Sequence, residues 1–475
     1  MGLLKRDLPA AVLTAMAGFL AIVWITRRGM AVSFDSIIYL GVAKNILSGR
    51  GFNIISDDYL TVALNHFPPF FPVLLAAGAK LFGKDPEGAA RGLNVTLFVL
   101  NVSLFYFSMR RLNPRLFWTA VAGSFFMLTS AAMLQIHATV WSEPAFLFFS
   151  FLSLYLLGEY LERRGMLFLV ASSVAAGIAA LTRYAGVALI AAGIGALLFC
   201  RHQKAAGKGR DCLIFLALSA PALLFWLLRN VQAAGAITNR ALSFHPVTLG
   251  HLVSFTDFFS AALFPARMPG GLRIAGLAAL LGALLFFSIR IKKEPGRADS
   301  LRAYLYFIAC YSAFLAGAIT FFDAGIPMDS RLLSPILAAG LLWAFTIIGR
   351  IEGKARGGPA AGKRLWLAVA VLASIGLVKA VHWAHGASHS MTPAQIRNEP
   401  GHREIAKKLM GLSPGAVCYS NAPDMVYFLS GKFCYLKDSR GVHDFWRVSR
   451  VKKNFGNGEK YFAAFSNIPW NESRQ

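Results

Sequence analysis

Two acidic and two basic side chains of this 475-residue chain lie where a polar segment meets a long apolar one. Asp35 follows the first apolar segment, in the first turn of a helix that Ser33 can cap. Glu143 precedes an apolar run, and Arg183 and Arg331 flank two others. A carboxylate in such a place can deprotonate a hydroxyl group, and a guanidinium group can hold a phosphate through two hydrogen bonds. Each residue also has a structural interpretation, because carboxylates satisfy helix N-termini and arginines near helix ends extend to lipid headgroups.

The composition excludes an ordinary soluble protein. Hydrophobic residues make up 56% of the chain and charged residues 15%, and the mean hydropathy is +0.54. The formal net charge of +25 would suit a nucleic-acid-binding protein, but lysine and arginine lie mainly in short segments between apolar runs. We therefore expect an integral membrane protein in a lipid bilayer, with no nucleic-acid partner and with positive charge that sets its topology.

Apolar runs predict eleven transmembrane helices. They cover residues 8–26, 88–109, 116–133, 140–157, 166–182, 184–200, 212–228, 272–289, 303–322, 332–349 and 365–382. The basic linkers all fall on one side of the membrane, which the positive-inside rule assigns to the cytoplasm together with the N-terminus. Because the N-terminus and the linker at residues 110–115 lie on the same side, an even number of helices must separate them; this is the parity argument. Residues 67–83, which begin with a proline-rich stretch and contain Lys80, therefore cannot form a further span. We expect that segment to lie at the interface or to re-enter the membrane.

The topology divides the chain into two predicted domains. Residues 1–383 form an all-α polytopic membrane domain, with a large external loop at residues 27–88 that contains interfacial helices. Residues 384–475 form a small extracytoplasmic α/β domain, which is expected to dock on the membrane domain because a unit this small is hard to stabilise alone. All four charged residues described above fall on the predicted external side.

The predicted tail domain contains two short strands, residues 416–420 and 432–436, and a helical turn at residues 423–429. Cys418 and Cys434 would then lie on neighbouring strands in an oxidising compartment. Both a disulfide and two free thiols in a packed core fit this arrangement.

Several short motifs occur in order along the chain and at predicted external helix ends. They are Asp35 with Tyr39, Gly49-Arg50-Gly51-Phe52, His66-Phe67-Pro68-Pro69-Phe70-Phe71-Pro72, Arg91, Trp141-Ser142-Glu143-Pro144, Leu181-Thr182-Arg183-Tyr184, Trp226 to Arg229-Asn230, and Ser330-Arg331-Leu332-Leu333-Ser334-Pro335. In these motifs, over most of residues 30–350, the chain resembles the GT-C glycosyltransferases. The branch that it resembles holds the protein O-mannosyltransferases, the lipid A aminoarabinose transferases and related lipopolysaccharide-core transferases. Glu143 stands where an aspartate is common, and Leu332 where a tyrosine often follows the arginine.

The resemblance implies a reaction and its substrates. Such enzymes transfer a sugar, with inversion, from a polyprenyl-phosphate-linked donor to a lipid, glycan or protein acceptor at the extracytoplasmic membrane face. It also implies a bacterial inner (plasma) membrane protein, for which the positive-inside rule predicts a cytoplasmic N-terminus. The sequence contains neither a dinucleotide-binding fingerprint nor a Walker A loop, so a nucleotide-sugar donor has no support.

The resemblance also implies roles for individual residues. Asp35 matches the catalytic acid/base position, and Glu143 matches a second acidic position that holds the acceptor or, in metal-using relatives, a divalent cation. Arg331 and Arg183 would bind the donor phosphate. No other cofactor and no metal site is indicated, and Glu143 could instead be a helix-start carboxylate paired with an arginine. The residues expected to line the substrate site are Tyr39, His66, Pro68 and Pro69.

Two other functions remain open from the sequence. A lipid or glycan transporter would also be apolar and polytopic, but it should carry charges within its spans and show related halves. A polysaccharide polymerase or ligase would rely on arginine and histidine in a late external loop, and the loop at residues 229–271 contains Arg240, His245, His251 and Arg267. Near the last span, His382, His385 and His389 share a helical face, which suits either a metal site or an aromatic-belt helix end.

Overall fold

The fold is described from a computed structural model of the chain. It describes residues 2–463 apart from 56–60, 115–116, 201–204, 266, 291–294, 355–358, 388–397, 413–416, 421–422, 431–434, 437–447 and 451–459. The helices are α1 (Gly2–Ile25), α2 (Phe34–Leu47), α3 (Phe70–Phe82), α4 (Pro86–Leu112), α5 (Phe117–Thr129), α6 (Ala131–Ala138), α7 (Glu143–Arg163), α8 (Met166–Thr182), α9 (Gly186–Leu198), α10 (Ala205–Ser219), α11 (Pro221–Ala234), α12 (Leu249–Leu263), α13 (Gly270–Arg290), α14 (Pro295–Phe321), α15 (Ser330–Lys354), α16 (Pro359–Ala387), α17 (Pro400–Met410) and α18 (Pro423–Ser430). The strands are β1 (Asn53–Ile55), β2 (Thr61–Ala63), β3 (Val417–Ser420), β4 (Tyr435–Leu436), β5 (Val448–Arg450) and β6 (Lys460–Ala463).

The helices confirm a polytopic membrane architecture. Within the described residues, seven helices are long and apolar enough to cross a membrane: α1, α4, α7, α13, α14, α15 and α16. Two bent pairs, α5 with α6 and α10 with α11, bring the number to nine. The other two predicted spans coincide with α8 and α9, apolar helices of 17 and 13 residues. The total of eleven therefore remains a prediction.

Ion pairs connect helix ends that the parity argument places on the same side. Asp7 near the start of α1 pairs with Arg110 at the end of α4 at 2.7 Å, and Arg111 pairs with Glu159 near the end of α7 at 2.8 Å. The charged residues singled out from the sequence lie at the opposite ends of these helices. The two sets of charges are thus separated by the apolar length of the bundle.

The external loop between α1 and α4 contains two short helices and a hairpin. Helix α3 buries Phe71, Leu75 and Ala79, which recur every four residues and so form one face. Phe71 and Leu75 belong to an apolar cluster that also contains residues of α2. At 13 residues α3 is shorter than a span, as expected for an interfacial segment. Strands β1 and β2, which the sequence did not predict, pair antiparallel.

The tail forms a sheet with the strand order β4-β3-β6-β5, in which β3 lies parallel to both neighbours. Strands β3 and β4 and helix α18 fall at the predicted positions. Ile405 and Leu409 of α17 and Met425 and Val426 of α18 are buried in the same apolar cluster as Tyr39 of α2, so these tail helices dock on the external loop.

Two predictions about the tail lie beyond these observations. The predicted boundary at residue 383 falls inside α16, and the division into two domains remains a prediction. Cys434 and the side chain of Cys418 lie outside the described residues, so their pairing also remains a prediction.

Candidate active site

Asp35 is held at the start of α2 by a capping arrangement. The Ser33 backbone N–H donates to the Ser36 hydroxyl at 2.9 Å, and the Trp141 indole N–H donates to the Ser33 hydroxyl at 2.7 Å. Just before the cap, the Ala31 backbone forms a parallel bridge with the strand-like segment at Thr139. The segment that carries Asp35 is therefore fixed directly to the segment that leads into Glu143.

Glu143 begins α7 and is almost completely buried, at 1% exposure. Two asparagines of α4 fix its surroundings: Asn94 donates to the Thr139 carbonyl at 2.7 Å, and Asn101 donates to the Pro144 carbonyl at 3.0 Å. The amide nitrogens of these two asparagines thus hold the backbone on both sides of Glu143. Each of these asparagines is the first residue of an apparent N-glycosylation sequon, but both are buried and have the structural role described above.

Arg331 and Arg183 join the carboxylates into one network. Arg331, in the first turn of α15, forms ion pairs with Asp35 and with Glu143, the latter at 3.3 Å. Arg183, just after α8, pairs with Glu143 and donates to the Ser142 hydroxyl at 3.1 Å. The Arg331 guanidinium also lies 4.8 Å from the centre of the Trp141 ring. Four elements distant in sequence thus meet at one point.

A cavity of about 370 Å³ adjoins this network. Asp35, Arg183 and Arg331 line it, whereas Glu143 is not on the wall and lies behind the two guanidinium groups. Of the other predicted lining residues, Tyr39, His66 and Pro68 line the cavity. Pro69 does not, and instead precedes α3 as its N-terminal cap residue.

Burial shifts the pKa of two side chains in the site. Burial raises the pKa of the Tyr39 phenol, which shares a 3.1 Å hydrogen bond with the Ser142 hydroxyl. Burial lowers the pKa of the His66 imidazole, with Asp35 opposing the change. In the described part of the chain, Glu143 Oε2 and Arg183 Nε are buried without a hydrogen-bond partner.

Sequence reasoning did not single out Asp329. Its carboxylate lines the cavity and accepts from the Arg331 backbone N–H at 2.9 Å, and burial raises the pKa of its carboxyl group. A signal was present, because an aspartate just before an apolar helical run is a typical helix start. Asp323, also on the wall, was missed as well, and it pairs with Arg240 at 2.8 Å.

Two further arginines of the sequence motifs, Arg91 and Arg229, donate hydrogen bonds to the protein backbone. Arg91 donates to the Val23 carbonyl at 2.9 Å, and Arg229 donates to the Leu64 carbonyl at 2.7 Å. Arg91 thereby ties α4 to α1, and Arg229 ties α11 to the external loop. Both residues support the site structurally rather than line it.

The late external loop contributes one of its four predicted residues to the cavity. Arg240 lies on the wall, while His251 forms part of the cap of α12 with Thr248. His382 lies at a different cavity, and His389 lies outside the described residues. Among the residues that the structure describes, no group of three or more His, Cys, Asp or Glu side chains could hold a metal ion.

Part of the chain matches a known protein family in sequence. Residues 59–209 match the model of the dolichyl-phosphate-mannose-protein mannosyltransferase family. No curated protein sequence matches the chain at a significant level.

Solved structures match over nearly the whole chain. The oligosaccharyltransferase of Archaeoglobus fulgidus in complex with Zn and sulfate aligns with a TM-score of 0.55 and 14% identity, over 90% of this chain and 62% of that one. The same archaeal enzyme with an inhibitory peptide and a dolichol-phosphate aligns at 0.53 and 12%, over 91% and 64%. The mycobacterial arabinofuranosyltransferase AftD aligns at 0.53 and 14%, over 90% and 32%. This chain spans less than two thirds of the length of each, and it shares their fold over the aligned part.

Proposed function

We propose that the chain is a membrane glycosyltransferase that moves a sugar from a polyprenyl-phosphate donor to an acceptor at the extracytoplasmic membrane face, with inversion. The observation that carries the proposal is the contact of Arg331 with both Asp35 and Glu143 at the wall of one cavity. That arrangement puts a proton acceptor and a phosphate-binding cation side by side. The match of residues 59–209 to a family of lipid-linked-sugar transferases supports the same reaction.

Asp35 is the proposed general base. The acceptor hydroxyl gives its proton to the Asp35 carboxylate while its oxygen attacks the anomeric carbon of the donor sugar. The bond from that carbon to the phosphate oxygen breaks, and its electron pair leaves with the phosphate. One negative charge therefore moves from Asp35 to the departing phosphate.

Arg331 can pair with the negative charge both before and after it moves. In the resting site its guanidinium group pairs with Asp35. Once Asp35 is protonated this ion pair is lost, and the guanidinium group can stabilise the phosphate as its charge grows. Arg183 would assist from the same wall, where it also shields the buried Glu143. The archaeal oligosaccharyltransferase that holds a dolichol-phosphate is consistent with a lipid-phosphate donor on this fold.

Tyr39, His66 and Pro68 are the proposed side walls of the substrate site, and Pro69 supports them by starting α3. A divalent cation is not established for this chain. If one binds, Glu143 is the proposed carboxylate ligand, and its Oε2 atom has no hydrogen-bond partner among the described residues. The Zn in an archaeal structure of the same fold suggests this comparison.

The orientation is also a proposal. We infer that the N-terminus is cytoplasmic and that the cavity faces outward, in a bacterial inner membrane. The support is the excess of lysine and arginine in the linkers at the ends opposite the cavity.

The test is mass spectrometry of envelope glycolipids, glycans and glycoproteins from cells with and without this protein. A product that disappears with the protein and returns with the wild-type chain, but not with Asp35→Asn, is expected. An unchanged set of products under conditions in which the protein is made would refute the transferase assignment.

A further inference from the structure

Asp329 lies between two cavities. Besides the cavity of the proposed active site, it lines a second one of about 380 Å³ on the other side of the start of α15. The second cavity forms where α5 and α6 meet at a 55° bend, and α12, α15 and α16 complete it. A hydrogen bond of 2.7 Å from Ser330 to Gln135 lies at its boundary. A group in the second cavity can therefore approach the carboxylate of Asp329 from the side opposite the first cavity.

The wall of the second cavity is mostly hydrocarbon. Phe126, Phe258, Leu337 and Leu341 form its apolar surface, together with alanines of α6 and α12. Its α16 wall is the candidate span Val369–Gly386, of which only 17% is buried in the protein. Such a wall at the level of the membrane helices suits an alkyl chain rather than a sugar or a peptide.

Lys379 is the cation of this cavity. It lies inside the span Val369–Gly386, and its ammonium group donates to the Ala261 and Phe264 carbonyls at the end of α12. Among the described residues, Lys379 forms no ion pair with a carboxylate. An ammonium group has three N–H donors, so one remains for a ligand. A charged side chain inside a span is costly unless it serves a partner, and a negatively charged group would neutralise it.

We propose that the second cavity binds the acceptor, and that the acceptor is a lipid with an anionic headgroup. Its negative group pairs with Lys379 and its hydrocarbon chain lies along Phe126, Phe258 and Leu341. A headgroup hydroxyl then extends past Asp329 into the first cavity, where Asp35 can accept its proton. Donor and acceptor then enter from opposite sides of the α15 start. This inference rests on the proposed transferase function.

Binding is tested with purified protein in phosphatidylcholine nanodiscs that contain dioleoyl phosphatidylglycerol as the probe, read by native mass spectrometry. Wild type should hold phosphatidylglycerol, and Lys379→Met should weaken that binding about tenfold or more, because it removes a charged hydrogen-bond donor. Lys379→Arg should retain it. The matched control Lys80→Met removes an exposed lysine of α3 that does not line the cavity, and it should bind as wild type does. Ala262→Phe, which fills the cavity, should also displace the probe. This second variant keeps the proposal testable if Lys379→Met does not fold.

Three results would overturn the assignment. One is equal phosphatidylglycerol binding by wild type, Lys379→Met and Ala262→Phe. Another is displacement of the probe by undecaprenyl phosphate at equal concentration, which would indicate that the cavity binds the donor. The third is a missing product, in cells that lack the protein, that is a glycoprotein or a neutral glycan rather than an anionic glycolipid. Retained turnover by Asp35→Asn would instead refute the proposed catalysis and leave the lipid site standing.

Discussion

Replacing Asp35 with asparagine should change catalysis and donor binding in opposite directions. Asparagine keeps the size and polarity of the side chain but removes its charge and its ability to take a proton. Loss of a general base typically costs about 10²-fold or more in turnover. Donor binding should not be lost with it, because the wild-type carboxylate occupies Arg331, the proposed phosphate ligand.

The size of the gain in donor affinity follows from that ion pair. A hydrogen bond to a charged partner contributes about 1.5 to 3 kcal/mol, against about 0.5 to 1.5 kcal/mol for a neutral one. Asp35 is 15% exposed, so solvent screens the pair only in part. The difference of roughly 1 to 1.5 kcal/mol corresponds to a donor Kd that is lower by up to about tenfold.

Two measurements on the purified variant decide the matter. Titration with undecaprenyl phosphate gives the Kd of the lipid phosphate, and single-turnover transfer to the acceptor gives the rate. Asp85→Asn is the matched control, because Asp85 is likewise an aspartate at a helix start, where it accepts from the Gly88 N–H at 2.8 Å as the N-cap of α4, but it lies outside the cavity. Wild-type turnover in Asp35→Asn would refute its role as the base, and a weakened lipid-phosphate Kd would refute the competition for Arg331.

Four further outcomes are expected. Glu143→Gln should lower the free energy of unfolding by about 3 kcal/mol, the lower end of the range for a buried pair, because Arg183, which is only 15% exposed, would lose its charged partner. Denaturation in detergent measures this, and an unchanged midpoint contradicts it. Arg331→Lys should raise the donor KM, since an ammonium group cannot hold a phosphate in the bidentate manner of guanidinium, and an unchanged KM removes Arg331 from the donor site. Burial holds the pKa of His66 below its value in the unfolded chain, so the unfolded chain binds the proton first as the pH falls. Wild type should therefore lose stability from pH 7 towards pH 5, and His66→Gln should lose less. Parallel pH profiles of stability for the two proteins would argue against this. In a cysteine-free background, Lys84→Cys should react with an impermeant thiol reagent in intact cells and Arg163→Cys should not, and the reverse pattern would invert the proposed orientation.

The membrane architecture could be predicted because it depends on chain-local properties. An apolar run long enough to cross the bilayer is visible in the sequence. The order of sides, which the distribution of lysine and arginine indicates, remains a prediction. The bend at Ser130 could not be predicted in the same way. Serine is tolerated in helices, and the span predicted at residues 116–133 ignores a break that depends on packing against α15 and α16.

The site could be predicted only in its parts. Sequence identified Asp35, Glu143, Arg183 and Arg331 as residues at helix ends, and their shared side followed from parity. The pairing itself joins residues 296 positions apart, and no local pattern specifies which carboxylate meets which arginine. The sequence left open whether Glu143 was a substrate ligand or an arginine-paired helix start, and the structure shows the arginine pair.

The two carboxylates of the site are unequal, and their surroundings explain a division of roles. Glu143 is 1% exposed and in contact with both Arg183 and Arg331, so taking up a proton would forfeit two charge-assisted contacts in a buried place. Asp35 faces the cavity and has Arg331 as its arginine partner, and in the proposed reaction that partner gains a new anion as soon as the donor phosphate departs. A proton on Asp35 therefore costs one contact that the reaction itself replaces. Glu143 is better suited to holding the two guanidinium groups in place, so Glu143→Gln should impair folding and donor binding together, whereas Asp35→Asn should impair transfer alone.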